Sequence, residues 1–223
     1  MPAKGKIDNS PLLEYNRISS DHRREGTKIK KKLFLRIALF LVLLGMMVGL
    51  GIFGISHLID TGMRAYYPMK YSELISRYAE ENKLDPFLIY AVVHTESRFE
   101  ADAESGVGAR GLMQLTSDTF DWVKFKLGDD DSVTYDDMYS PEENIRYGTR
   151  LLSELMTRFE GETETAVCAY FAGLNQVAEW LSDPQYSRDG KTLIHVPFDG
   201  TRDYLQTVME TYQIYTQLYG EQK

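Results

Sequence analysis

Twenty consecutive residues, 37–56 (IALFLVLLGMMVGLGIFGIS), carry no charge. As a helix rising 1.5 Å per residue, that run spans about 30 Å, the thickness of a bilayer core. Leu33, Phe34 and Leu35 lengthen it. A helix packed at the surface of a soluble core keeps a polar face, and this stretch has none. A secretory signal would have an apolar region of about 7–15 residues followed by a small-residue cleavage site. Here the apolar run is longer, and Ser56-His57-Leu58-Ile59-Asp60 offers no such site. The sequence therefore predicts an uncleaved transmembrane helix over residues 33–57.

Charge orients it. Residues 1–36 hold ten Lys/Arg against four Asp/Glu, a balance of +6, so the rest of a chain whose net charge is −8 carries −14. Lys28, Lys30, Lys31, Lys32 and Arg36 stand just before the span, while only Arg64 and Lys70 follow closely. The positive-inside rule keeps the N-terminus in the cytoplasm and sends residues 57–223 outward. The acidic outer part argues against nucleic acid as a partner, since phosphate binding needs clustered cations. Gly45 and Gly49 form a GxxxG pair through which two copies could make a weak dimer. Residues 1–32 mix Pro, Asn, Ser and charges without a sustained helical period and read as a disordered basic tail. Residues 58–69 read as a linker. Cys168 is the only cysteine, and His22, His57, His94 and His195 are scattered, which leaves no Cys/His spacing for a metal.

Residues 70–220 read as one all-α domain. Tyr71, Leu74, Ile75 and Tyr78 follow helical spacing over 71–82. Asp85-Pro86 is a helix start, with Asp at the N-cap and Pro at the first position. Thr116 or Ser117 can cap a helix reaching Lys126. Ser140-Pro141-Glu142-Glu143 has the form of a capping box, and Ile145, Leu152, Leu155, Met156 and Phe159 mark the inner face of the long helix after it. Shorter helices are expected near 164–172 and 175–182, and a turn at Asp189-Gly190. The last helix starts at Thr201, with Leu205, Val208, Tyr212, Tyr215 and Leu218 facing inward.

The residue with chemical content is Glu96. Leu88, Val92 and Glu96 lie at i, i+4, i+8, with Phe99 continuing the face, so a carboxyl sits on an apolar stripe beside the Gly-rich stretch Ser105–Gly111. Burial disfavours the charged form, and a glutamic acid that keeps its proton near neutral pH can protonate a leaving oxygen. The bland alternative is an ion pair with Arg98 or Arg110.

Glu96-Ser97-Arg98-Phe99, followed by Gly108-Ala109-Arg110-Gly111-Leu112-Met113-Gln114-Leu115, resembles the catalytic core of the soluble lytic transglycosylase family. Asn144-Ile145-x-x-Gly148, Ala169-Tyr170-Phe171-Ala172-Gly173 and Thr201-Arg202-Asp203-Tyr204-Leu205 agree with it in order and spacing. The resemblance covers about 70–219 and implies a lysozyme-like helical domain with a groove for a glycan strand. It implies Glu96 as sole catalytic acid/base, with Met113 and Gln114 lining the groove, Tyr170 hydrogen-bonding near the acid, and Ser97 fixing the loop or the sugar. Core packing is the alternative for Met113 and for Tyr170. The family's usual Ala-Tyr-Asn-Ala-Gly block has Phe171 in place of its Asn, which alters the binding geometry expected there.

The reaction implied is cleavage of peptidoglycan between N-acetylmuramic acid and N-acetylglucosamine with closure of a 1,6-anhydro ring, without a cofactor. One rival is a hydrolase on the same fold, with Asp102, Glu104 or Asp118 as second carboxylate. Another is a non-catalytic wall-binding or assembly module. Cell-wall machinery proteins would be further partners.

Overall fold

The computed structural model describes the backbone of residues 10–130 and 132–220, with side chains from residue 30 onward. It divides into two compact units, Met1–Gly62 and Met63–Lys223. The described residues form eight α-helices and one short 3-10 turn.

Helix α1 runs Ser10–Tyr66. Its stretch Lys30–Tyr66 is long and apolar enough to cross a membrane. Phe34, Leu50 and Phe53 are each about 70% exposed around its circumference, so the run keeps no polar side. The helix also departs from expectation. It begins at Ser10, where an irregular tail was expected to reach residue 32, and it ends at Tyr66, inside the expected linker 58–69. The segment before the span is rich in Leu, Glu, Arg and Lys, good helix formers, and Pro11 falls in the first turn, where its missing N–H costs nothing. Residues 1–9 of the expected tail lie outside the described residues.

The second unit is built around α3 (Pro86–Ser97). Seven consecutive residues of α3, Leu88 to His94, are buried, so it is a central helix covered on all sides rather than a one-stripe helix. Asp85 caps it by accepting from Phe87 N–H at 2.8 Å, with Pro86 behind. Around it lie α2 (Ser72–Asn82), α4 (Ser117–Leu127), α5 (Pro141–Arg158), α6 (Thr163–Ala172), α7 (Leu174–Ser182) and α8 (Asp199–Tyr219). Helix α8 packs on α3 and α6, α5 on α2 and α6, and α7 on α6.

Two expected details are corrected. The Ser140 capping box does not form. The Ser140 N–H donates to Asp137 O (2.8 Å), and Glu143 accepts from Arg146 (3.0 Å). A 3-10 turn at Tyr135–Tyr139, not foreseen, occupies the position, started by Asp137 accepting from the Thr134 N–H (2.7 Å) and hydroxyl (2.8 Å). On α8, the buried face is Thr201, Tyr204, Val208, Thr211 and Tyr215, whereas Leu205, Tyr212 and Leu218 are half-buried at its flank. The inner face is thus turned by about one residue from the apolar one, which brings Tyr204 into the core.

Candidate active site

Glu96 occupies the last turn of α3. The helix stops there because Arg98 (φ 50°) and Phe99 (φ 66°) both enter the left-handed region, which bulky residues rarely adopt. Burial of Phe99, whose ring lies 6.1 Å from that of Tyr90 and 6.2 Å from that of His94, holds this bend. The chain then turns into residues 98–116, whose Arg110 pairs its backbone with Leu115 in both directions (2.9 and 3.1 Å).

Asn144, on α5 and fully buried, fastens that loop. Its Oδ1 accepts from Met113 N–H (2.7 Å), and its Nδ2 donates to Arg110 O (2.9 Å) and Met138 O (2.8 Å). Gly111 has φ 76°, and a Cβ there would lie 2.0 Å from Met138 O and 2.2 Å from Asn144 Nδ2. One turn after Asn144, Gly148 leaves room for the Met113 side chain, whose Sδ would be 2.3 Å from an added Cβ. The two glycines and Asn144 are therefore one device that sets the loop against α5, close to the acid.

Glu96 itself is half-buried. Its Oε1 accepts a 2.6 Å hydrogen bond from the Tyr204 hydroxyl of α8. Burial raises its carboxyl to about 7, and the Tyr204 bond acts in the opposite direction without reversing it. The phenols of Tyr204 and Tyr170 are held well above their ordinary range, by burial first and then by the Glu96 charge, so both keep their protons. Among the described residues no Lys or Arg pairs with Glu96. Arg98 donates to the Tyr66 hydroxyl (2.7 Å), and Arg110 pairs with Asp136 (2.7 Å) and Glu104 (3.8 Å). The ion-pair alternative for Glu96 is absent.

The other expected residues divide. Tyr170 donates to Met113 O (2.7 Å) rather than to the carboxyl, and lies close enough to Glu96 to feel its charge. Ser97 Oγ donates to Leu112 O (2.8 Å) and so ties the end of α3 to the loop. Gln114, at φ 49°, turns its amide back onto Ala103 O (3.1 Å) and Gly111 O (2.9 Å). Met113 is corrected: its side chain is fully buried among Ile145, Leu152 and α3 residues, filling the space Gly148 leaves, and lines no open surface. Phe171 stays 52% exposed, its ring stacked on that of Tyr204 at 4.6 Å.

Tyr204 is the residue that the sequence did not single out. The signal was present in the Thr201-Arg202-Asp203-Tyr204 block, but the apolar spacing favoured Leu205. A cleft of about 520 Å³ opens beside Tyr170, lined also by Asp118, Thr119, Trp122, Asn175 and Gln176. Of the rival carboxylates, Asp118 borders this cleft, Glu104 accepts from Tyr139 (2.6 Å), and Asp102 is exposed. None shares a hydrogen bond with Glu96. Among the described residues no group of three or more His, Cys, Asp or Glu could hold a metal ion.

Comparison with known proteins identifies the family. Residues 73–193 match the family model of the transglycosylase SLT domain. A soluble lytic murein transglycosylase of Salmonella typhimurium is 27% identical over 158 residues, covering 70% of this chain and 24% of that protein. The membrane-bound lytic murein transglycosylase C of Yersinia enterocolitica is 34% identical over 104 residues, 46% of this chain and 29% of that one. The crystal structure of an inactive mutant of the lytic transglycosylase Slt from Pseudomonas aeruginosa superposes with a TM-score of 0.63 at 32% identity, covering 72% of this chain and 26% of that chain. The chain spans about a quarter of the length of the soluble relatives it matches. It belongs to the transglycosylase SLT family, and its second unit has the lysozyme-like all-α fold.

Proposed function

We propose that this member of the family is a peptidoglycan lytic transglycosylase with Glu96 as its single acid/base. The observation that carries the reading is the state of Glu96: a carboxyl kept protonated to about pH 7 by burial, held by one neutral donor, with no cation to fix it as an anion. Such a group can give a proton to the oxygen between N-acetylmuramic acid and N-acetylglucosamine. The substrate's acetamido group meets the positive charge that develops as the bond breaks. Glu96, now a carboxylate, takes the proton of the muramoyl 6-hydroxyl, whose oxygen closes the 1,6-anhydro ring. The proton balance closes on one residue, and no water is consumed. The relative from Pseudomonas aeruginosa, described as an inactive mutant with glutamine in place of one glutamate, supports a chemistry in which one glutamate is indispensable.

In this reading Tyr204 orients the carboxyl, while Ser97, Gln114 and the carbonyl of Met113 hold the loop that carries the glycan. The half-exposed Phe171 gives the sugar an apolar wall. The cleft along Trp122 and Asn175 continues the path of the strand. The apolar part of α1 anchors the protein in the membrane as one span. The basic segment before it lies on the cytoplasmic side, and the enzyme unit faces the cell wall. The membrane-bound relative and the apolar helix support this placement.

Mass spectrometry of purified peptidoglycan digested by the full chain tests the reading. Products ending in 1,6-anhydromuramic acid are expected. Reducing ends would mean that water is the acceptor and that the enzyme is a hydrolase, and intact glycan would mean that the fold serves binding alone.

A further inference from the structure

Phe171 is an apolar ring left half in solvent, at the position where the family usually has Asn. Its surroundings are specific. The ring lies on the Tyr204 ring with centroids 4.6 Å apart and planes 24° from parallel. It also reaches over Gly200, where an added Cβ would stand 4.0 Å from Phe171 Cε1. Gly200 and Tyr204 are i and i+4 on α8 and so share one face of that helix. Phe171, from the last turn of α6, lies against this face of α8. The Tyr204 hydroxyl at the far end of the stack makes the 2.6 Å bond to Glu96.

We propose that Phe171 is a positioning residue for the acid: its ring, stacked on that of Tyr204, holds the Tyr204 hydroxyl in its bond to Glu96. The proposal rests on the reading of Glu96 as acid/base, and it adds a role that a sugar-facing wall would not have. An offset aromatic pair contributes about 0.5–1.5 kcal/mol beyond its buried area, enough to favour one ring orientation. Tyr204 itself stands against the carboxyl, so a ring that fixes Tyr204 also limits the room for water beside Glu96, whose raised proton affinity has burial as its largest cause. The titratable groups facing Glu96 are Tyr204 from α8 and Tyr170 from α6, and both phenols stay protonated. On the same turn of α8, Arg202 is held by Asp199 and by Val196 O, and Asp203 is exposed. Among the described residues no other titrating group therefore stands between a change at Phe171 and a response at Glu96.

The test uses the detergent-solubilised full chain with Phe171→Asn, Phe171→Leu and Phe171→Tyr. Loosening Tyr204 lets water reach the carboxyl beside it, so the alkaline limb of the activity profile in the Asn variant should move down by about half a pH unit or more. At pH 8 that displacement reads as about a threefold loss of turnover beyond the loss at pH 5. Phe171→Leu keeps apolar volume without the stack and should move the limb partway, while Phe171→Tyr should restore it. A second readout needs no substrate. The pH dependence of stability that separates the wild type from Glu96→Gln should shrink in a Phe171→Asn background. If that dependence and the alkaline limb both stay in place, with any change confined to KM, Phe171 is a substrate contact only and the positioning role is overturned. If the wild type cleaves no peptidoglycan, the acid/base reading fails, and the stability readout still decides whether Phe171 governs Glu96.

Discussion

Glu96→Gln separates a catalytic carboxyl from a structural one, because the two roles predict opposite changes in stability. Glutamine keeps the shape, and its carbonyl oxygen can still accept the Tyr204 hydroxyl, but it cannot cycle a proton. In the folded chain the carboxyl is raised from 4.5 to about 7. Relative to the unfolded chain the native state binds the proton more tightly. The stability linked to this group is therefore fully present below about pH 4.5 and is lost as the pH rises through about 7. At about 1.4 kcal/mol per pH unit, the rise from 4.5 to about 7 corresponds to about 3.4 kcal/mol, and some solvent contact at the carboxyl brings it to about 2–3 kcal/mol. Glu96→Gln should lack this penalty. Its gain over the wild type should be small at pH 5 and should widen by about 2 kcal/mol at pH 8. For a unit of this size that is on the order of 5 °C in Tm. Turnover on purified peptidoglycan should fall by at least about a hundredfold at both pH values. Thermal unfolding at the two pH values, beside a product assay, measures both. A variant that loses about 3–5 kcal/mol while keeping its turnover per folded molecule would show that Glu96 holds the fold and that the chemistry lies elsewhere.

Asn144→Ala removes three buried hydrogen bonds and leaves Met113 N–H, Arg110 O and Met138 O without their partner. Arg110 O keeps the Leu115 N–H, so two groups are orphaned, and the change should cost about 2–4 kcal/mol by urea titration, with activity lost ahead of fold as the loop detaches. Gly148→Ala places a Cβ 2.3 Å from Met113 Sδ. The overpacking should cost about 1–3 kcal/mol, and an unchanged Tm would mean that Met113 has room to move. Protease added to intact wall-stripped cells should degrade the second unit. Survival there, with cleavage after lysis, would reverse the proposed orientation.

The helices were legible because their boundaries are local chemistry. Asp85-Pro86 starts α3 by a cap that needs no tertiary partner, and Thr116 caps α4 through the Thr119 N–H at 3.3 Å. The Ser140 box failed for a reason the sequence cannot display. Its N–H and its Glu143 are claimed by Asp137 and Arg146, and the 3-10 turn that precedes it is fixed by contacts of Tyr135 with Gly108 O (2.5 Å) and Leu115 O (2.9 Å), 27 and 20 residues away. The start of α1 was missed for the opposite reason. A charged segment without apolar period gives no packing signal, while its intrinsic propensity is helical all the same.

At the site, sequence spacing found the acid but not what governs it. Glu96 is visible because α3 is apolar and a carboxyl there is out of place. Tyr204 is not, because a tyrosine on a helix already rich in Tyr, Leu and Val reads as one more core residue. Only the turn of α8 that buries Tyr204 in place of Leu205 brings the hydroxyl to the carboxyl, across 108 residues of chain. The same turn presents Gly200 and Tyr204 to Phe171. Asn at position 171 would remove the ring that stacks on Tyr204. The proton affinity of the acid therefore depends on a contact between α6 and α8 that no single block of the sequence contains.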